Sequence, residues 1–257
     1  MTLQLSFLPE VAAVFMLMFA RLGTLVMLLP ALGERTIPSR IRLSIALMLT
    51  LVMYPLASPL YPAGLLQNPA RLMILFGQEF AVAFGVGLCA RLITNALQIA
   101  GVIIAGQIGL SMALGADVTN SGQQGALVSN YLSILGLTLV FVTDTHYLVI
   151  AALHDSFQLF PPGGSLPVSD LAELATKTLS GVFTIAIQLS SPFIVVGLVF
   201  YFGLGLLNKL MPQMQIFFIA MPVNIALGLA LLLILITTIM SVYLEHFQQA
   251  IGKFIAG

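Results

Sequence analysis

Four ionisable side chains lie inside long apolar runs of this sequence: Arg21, Glu79, Arg91 and Asp144. A charged group at the centre of a bilayer costs roughly 2.5–3.5 kcal/mol, so each should contact a partner inside the protein or reach water. Pairing of opposite charges between helices is the simplest role for them. A proton or ion relay and contacts with other subunits are the alternatives that the sequence leaves open.

Residue types that perform metal or nucleophilic catalysis are few and widely spaced. The histidines are His146, His154 and His246, and the only cysteine, Cys89, lies in an apolar run, where a small buried side chain is expected. Neither H-E-x-x-H nor G-x-S-x-G occurs, and the glycine-rich segment lacks the Lys and Ser/Thr that phosphate binding requires. The sequence therefore predicts no metal site, no cofactor and no enzymatic activity.

The most unusual segment covers residues 106–125, GQIGLSMALGADVTNSGQQG. It holds five glycines, three glutamines, one asparagine and one carboxylate, between long apolar runs. Glycine and amide side chains are unfavourable in a membrane helix, and non-helical backbone at membrane depth occurs only where it is buried in protein or lines a water-filled cavity. The segment is therefore either a solvated loop or the lining of a functional cavity.

The composition is that of an integral membrane protein. Of the 257 residues, 60% are hydrophobic and 7% are charged, and the mean hydropathy is +1.09. Soluble domains carry about 25% charged residues, so this chain cannot build a water-facing surface. Nine basic and nine acidic side chains balance without a basic patch, which excludes nucleic acid as a partner.

Hydropathy predicts an all-α polytopic membrane protein with about six hydrophobic helical regions. A spanning helix needs about 20 apolar residues, and the regions cover residues 11–32, 41–61, 72–110, 127–153, 171–210 and 216–244. As one helix, the third would extend about 58 Å, against a hydrocarbon core of about 30 Å. Two spans, a hairpin and a helix that leaves the membrane all fit this region.

Two further patterns concern topology and packing. Three arginines in the loop at residues 33–42 place that loop on the cytoplasmic side. Small residues recur every four positions in the third region, as at Gly77, Ala81 and Gly85 and again at Ala96 and Ala100. Such spacing allows helix backbones to approach closely in lipid.

Three separated motifs resemble those of one protein family. They are LGERTIPSRIRLSIAL at residues 32–47, GQIGLSMALGADV at 106–118 and NKLMPQMQIFFIAMPV at 208–223. Together they are similar, in order and spacing, to the FliR family of flagellar type III export-gate membrane proteins. Virulence type III secretion systems contain homologues of this family.

The resemblance implies a fold, partners and a location. Residues 1–257 would form a single membrane domain of helical hairpins, with a FliP-like portion over about 1–175 and a FliQ-like helical hairpin over 176–257. Members of the family assemble with FliP and FliQ into a pore in the flagellar basal body of the bacterial inner membrane. With FlhA and FlhB, that complex passes unfolded export substrates across the membrane.

The resemblance also implies roles for residues of the motifs. Residues 106–125 match the loop that plugs the closed pore, where Met112 and Leu114 would form the seal, although Met112 stands where an aromatic residue is usual. The expected plug residues are Gly106, Gln107, Gly109, Leu110, Ser111, Met112, Ala113, Leu114, Gly115, Asp117, Asn120, Gly122 and Gln123. Subunit contacts or structural turns are expected at Arg35, Pro38, Arg40, Arg42, Pro212, Gln213, Phe217 and Pro222.

Other interpretations stay open at this stage. The charged loop could serve only to set the topology, and the Pro212–Gln213 motif could serve only to break a helix. A stand-alone secondary transporter with a polar site formed by Glu79, Arg91 and Asp144 is the second functional hypothesis. The equivalent subunit of a virulence secretion system is the third, although the LGERTIP motif favours the flagellar system.

Overall fold

The computed structural model describes residues 8–34, 37–111, 126–164, 168–211 and 216–255. These residues form α-helices, short 3-10 turns and loops, without any strand. The helices are α1 (Leu8–Leu28), α2 (Ser39–Ala57), α3 (Pro69–Gln107), α4 (Ala126–Val142), α5 (His146–Leu159), α6 (Val168–Leu210) and α7 (Ile216–Gly252). The prediction of an all-α fold is confirmed.

Five of the described helices are long and apolar enough to cross a membrane: α1, α2, α3, α6 and α7. The pair α4 and α5 passes the same test only together, with a bend of 78° between the two helices. The described chain therefore contains five or six candidate spans. This agrees with the six hydrophobic regions read from the sequence and confirms a polytopic membrane protein.

The fourth hydrophobic region differs from its prediction as one continuous run. It breaks between Val142 and His146, and Asp144 occupies the left-handed region with φ 57°. Aspartate tolerates this conformation better than most residues. The buried hydroxyl of Thr145 accepts a hydrogen bond from Nε2 of Gln248 at 3.3 Å, which holds the turn. Asp144 is thus an exposed turn residue and does not lie inside a helix.

The third hydrophobic region is one helix of 39 residues, so the two-span and hairpin alternatives are wrong. Its start carries the signals of a helix N-terminus. Oδ1 of Asn68 accepts hydrogen bonds from the backbone N–H groups of Ala70, at 3.1 Å, and Arg71, at 3.3 Å. Pro69 occupies the first helical position, where its missing N–H costs nothing. No other proline occurs within α3, so the helix continues to Gln107.

Replacing this cap is expected to loosen the first turn of α3. We expect Asn68→Ala to lower the free energy of unfolding by about 1 kcal/mol, because two backbone donors lose their acceptor. Urea or thermal denaturation of the purified chain in detergent, followed by circular dichroism, measures the change. Gln98→Ala, at an exposed position in the middle of the same helix, is the matched control. Equal stability of the two variants would contradict a capping role.

The chain divides into two compact units. Unit 1 comprises Met1–Ile93, Asp144–Leu179 and Gln248–Gly257, and unit 2 comprises Thr94–Thr143 and Ser180–Phe247. Helices α3, α6 and α7 each contribute residues to both units. These units follow spatial contact and do not coincide with the division near residue 175 that the resemblance implies, which stays a prediction about ancestry.

The core of unit 1 is built around α1. Leu17, Leu22 and Leu25 of α1 are almost completely buried, and α1 packs against α2. Gly87 of α3 admits Leu28, since a Cβ at that position would lie 2.8 Å from the Cβ of Leu28. Close approach of α3 to α1 therefore depends on this glycine.

The core of unit 2 depends on small residues of α3. Ala96, Ala100 and Ala105 are completely buried. A Cβ on Gly101 would lie 2.7 Å from the backbone nitrogen of Ser129 in α4, so the two backbones nearly touch there. The four-residue spacing of small residues at 96 and 100 thus marks a buried face, whereas Gly77, near the start of the helix, has open space beside it.

Candidate functional site

The base of the glycine-rich segment lies where α3 ends, in unit 2. The N–H of Ile108 donates to the carbonyl of Ile104 at 3.0 Å, and the N–H of Gly109 donates to the carbonyl of Gly106 at 3.2 Å. Gly109 has φ 76°, the left-handed conformation that commonly ends a helix and that favours glycine. The chain therefore leaves the helical path at Gly109.

A side chain of α7 holds this end of α3. Nδ2 of Asn224 donates to the carbonyl of Gln107 at 3.1 Å, and only 4% of Asn224 is exposed. An amide in an otherwise apolar helix is costly unless it is hydrogen-bonded. This contact gives Asn224 its partner and ties residues 107 and 224 together.

Five residues of the predicted plug are described. Gly106 is exposed with open space beside it, Gly109 is buried, and Gln107, Leu110 and Ser111 are half-buried. The remaining plug positions lie outside the described residues: Met112, Ala113, Leu114, Gly115, Asp117, Asn120, Gly122 and Gln123. The structure therefore describes only the part of the segment that is attached to α3.

The first motif forms the start of α2. The carbonyl of Pro38 accepts the N–H of Ile41 at 3.1 Å, and Nη2 of Arg42 donates to the carbonyls of Glu34 at 2.8 Å and Ile37 at 3.0 Å. Arg42 therefore fastens the preceding loop to the helix. Arg40 is exposed, and Arg35 lies outside the described residues.

The third motif lies at the start of α7. Pro212 and Gln213 lie outside the described residues, and Phe217 is described as helical backbone only. Pro222 is exposed and lies within α7 without ending it. The helix-break interpretation does not apply to Pro222, and for Pro212 and Gln213 it stays a prediction.

The structure brings Arg21 and Glu79 together in unit 1 as a buried ion pair. Nε and Nη2 of Arg21 both donate to the carboxylate of Glu79, the second at 3.1 Å. Both residues are 1% exposed. Such two-point contact between guanidinium and carboxylate is the strongest geometry available to this pair of groups.

The guanidinium of Arg21 also holds the end of α5. Nη1 donates to the carbonyl of Ser156 and Nη2 to that of Phe160, both at 2.9 Å. The ring of Phe157 lies 4.6 Å from Cζ of Arg21, within the range of a cation–π contact. One side chain of α1 therefore connects α3 and α5.

Tyr61 and a small cavity lie beside this pair. Burial raises the pKa of the Tyr61 hydroxyl far above its ordinary value, and the nearby Glu79 carboxylate raises it further, while Arg21 lowers it. The phenol therefore stays neutral. The cavity, of about 220 Å³, is lined by Arg21, Glu79 and the Pro161–Gly164 turn.

The four ionisable residues do not form one site. Arg91 follows Glu79 by 12 residues on α3, which is about 18 Å along the helix axis, and it is exposed. Asp144 occupies the exposed turn between α4 and α5. The stand-alone transporter hypothesis requires Glu79, Arg91 and Asp144 to form one polar site. This prediction is wrong, because Glu79 pairs with Arg21 and lies far from Arg91.

Side chains that could bind a metal ion or undergo redox chemistry do not cluster in the part of the chain that the structure describes. No set of three His, Cys, Asp and Glu side chains there is close enough to hold a metal ion. Cys89 is a buried free thiol. Nδ1 of His154 lies 2.8 Å from Oδ1 of the adjacent Asp155.

Sequence reasoning did not assign roles to Asn224, Tyr61 and Phe157. Asn224 carried a detectable signal, since it is an amide within the last of the six apolar regions. Tyr61 and Phe157 carried none, because their contacts with Glu79 and Arg21 join distant parts of the chain.

Residues 12–250 match the family model of "Bacterial export proteins, family 1". The chain is similar to the flagellar biosynthetic protein FliR of Caulobacter vibrioides, at 39% identity over 93% of this chain and 94% of that protein. It is also similar to the FliR protein of Escherichia coli, at 30% identity over 92% of this chain and 88% of the relative. A more distant similarity, 27% over 66% of each chain, connects it with the Yop proteins translocation protein T of Yersinia pestis.

Proposed function

The chain belongs to the FliR family of bacterial export proteins, and from this premise we propose that it is a subunit of the flagellar type III protein export gate. In this role it forms a pore with FliP and FliQ, and it works beside FlhA and FlhB. Unfolded flagellar proteins cross the bacterial inner membrane through this pore during flagellum assembly. The subunit binds no cofactor and performs no catalysis. The observation that carries the proposal is the match to the family over nearly the whole chain.

The exposed apolar side chains of the helices support a location in contact with lipid and with partner subunits. Met48 of α2 is 70% exposed, Leu198 of α6 is 70% exposed and Leu233 of α7 is 75% exposed. Large apolar side chains exposed along whole helices require either lipid or other apolar helices as neighbours. FliP and FliQ are the neighbours that we propose.

Two features support the internal division into a FliP-like and a FliQ-like part. Helices α6 and α7 are 43 and 37 residues long, and residues 211–215 join them. Two long helices with a short connection are the elements that a FliQ-like hairpin over 176–257 requires. Residues near its turn, Pro212, Gln213, Phe217 and Pro222, and the loop residues Arg35, Pro38, Arg40 and Arg42 are the proposed subunit contacts.

The segment 106–125 is the proposed plug of the pore. Its described base supports this role, because α3 ends within the first residues of the segment, next to the left-handed Gly109, and is held there by Asn224. Glycines permit an irregular path, and the flexible thioether of Met112 can adapt to a narrow opening. Met112 and Leu114 provide the apolar seal, and Asn120 and Gln123 keep the segment wettable.

Deletion of residues 111–123 tests the plug. We expect the variant to assemble with FliP and FliQ and to conduct ions when the purified complex is inserted into planar bilayers, whereas the complex with the intact chain stays closed. Met112→Ser/Leu114→Ser keeps the loop length and removes only the apolar seal, and it should conduct to a smaller extent. A deletion complex that assembles and stays as tight as the intact one would refute the plug.

The flagellar system is preferred over a virulence system. The FliR protein of Caulobacter vibrioides matches this chain at 39% identity over 93% of its length, whereas the Yersinia relative matches at 27% identity over 66%. Loss of flagella on deletion of the gene, with restoration by the intact gene, is the expected result in the source bacterium.

A further inference from the structure

Three positions of α6 and α7 enclose the end of α3 within unit 2. A Cβ at Gly228 would lie 2.5 Å from the Cβ of Ile108, and a Cβ at Gly197 would lie 2.6 Å from Oε1 of Gln107. Contacts under 3.0 Å essentially never occur for real Cβ atoms. Glycine at these two positions therefore makes room for Gln107 and Ile108.

Asn224 supplies the polar contact of the same enclosure. It precedes Gly228 by four residues, so both lie on one face of α7. Its amide donates to the carbonyl of Gln107, which belongs to the last turn of α3, where carbonyls lack an intrahelical donor. Nδ2 of Asn224 also lies 3.3 Å from the place where a Cβ on Gly109 would be. One helix face thus binds the end of α3 through both a hydrogen bond and close packing.

Ile108 and Asn224 are both buried, although the chain beside them is not. Ile108 is 3% exposed and Asn224 is 4% exposed, whereas Gly106 is exposed with open space beside it. A part-buried hydrogen bond and a packed isoleucine hold the backbone of residues 107–109 in one position. The part of the chain held by α6 and α7 therefore extends from Gln107 to Gly109.

We infer that Asn224, Gly228 and Gly197 form an anchor that sets the resting position of the plug, so that the last two helices control how readily the pore opens. The inference rests on the proposed plug function. It adds that closure depends on residues about 90 to 120 positions away from Gln107 and Ile108 in the sequence. Weakening the anchor should leave the plug intact and raise the fraction of time that the pore is open.

Asn224→Asp tests the hydrogen bond without changing the volume of the side chain. A carboxylate cannot donate to the carbonyl of Gln107 and places a second acceptor against it. We expect the ionic conductance of the purified complex to rise about fivefold, the population change that corresponds to loss of one hydrogen bond. Asn224→Leu, which lacks both donor and charge, should raise it in the same direction. A closed pore in both assembled variants would overturn the inference.

Gly228→Ala tests the packing. The added methyl group meets the Cβ and Cγ2 of Ile108 and should displace the end of α3, again raising the conductance. Gly252→Ala, in the same helix but with nothing within 4 Å, is the matched control and should behave as the unmodified chain. Equal conductance of Gly228→Ala and Gly252→Ala would count against the anchor.

The deletion of residues 111–123 separates this inference from the proposed function. If the deletion conducts while Asn224→Asp and Gly228→Ala stay closed, the plug stands and the anchor fails. If the deletion itself stays closed, the proposed plug fails whatever the anchor variants do. The anchor is supported when all three variants conduct and Gly252→Ala does not.

Discussion

Arg21→Met is expected to lower the free energy of unfolding by about 3–5 kcal/mol, because it leaves the buried carboxylate of Glu79 without its partner. The two carbonyls at the end of α5, those of Ser156 and Phe160, also lose their donor. Methionine retains much of the volume of arginine, so the loss reflects charge and hydrogen bonding more than an empty space. Denaturation of the full-length chain in detergent, followed by circular dichroism, measures the effect.

The double variant Arg21→Met/Glu79→Leu is the control for this prediction. Replacing both members of a buried ion pair with apolar residues is often close to neutral, so most of the stability should return. The recovery will be incomplete, since the α5 carbonyls still lack a donor. A double-mutant cycle gives the coupling between the two side chains. If the double variant lost as much as the sum of the single variants, the pair would not act as a unit.

Gly101→Ala is expected to disrupt the crossing of α3 and α4. The new methyl group would meet the backbone of Ser129, which cannot move away as a flexible side chain could. Overpacking of this kind costs about 1–3 kcal/mol. Weaker packing in unit 2 should appear as a lower denaturation midpoint and as a smaller yield of the proposed complex with FliP and FliQ.

Gly77→Ala provides the comparison within the same helix. Nothing lies within 4 Å of a Cβ at Gly77, so alanine should stabilise the helix by up to about 1 kcal/mol through its higher helix propensity. The two variants should therefore differ by about 2–4 kcal/mol. If both glycines tolerated alanine equally, the close approach of α3 to α4 would be contradicted.

The predictions from the sequence agree best with the structure where a feature depends on residues close together in the chain. The six hydrophobic regions and the small residues at 96 and 100 were visible as short-range patterns. Each depends on residues within one or two helical turns, so periodicity and punctuation were sufficient. The break at Asp144 was missed because apolar residues flank it closely on both sides, and hydropathy averages over such a short interruption.

The pairing of charges could not be predicted in the same way. Arg21 and Glu79 are 58 residues apart, and Arg91 was an equally acceptable partner for Glu79 in the sequence. Only the packing of α1 against α3 brings one arginine to the carboxylate and leaves the other exposed. The same holds for Asn224, which is 117 residues from Gln107.

The sequence by itself determined that this protein is a helical integral membrane protein of the FliR family. Composition, hydropathy and three short motifs were sufficient, because each can be read from the sequence without knowledge of the packing. The tertiary structure decided which buried polar groups meet and where the proposed plug segment is attached to α3. Desolvation makes an unpaired polar group costly, but many partners can relieve that cost equally well. Which partner is chosen depends on helix packing, and helix packing depends on the whole chain.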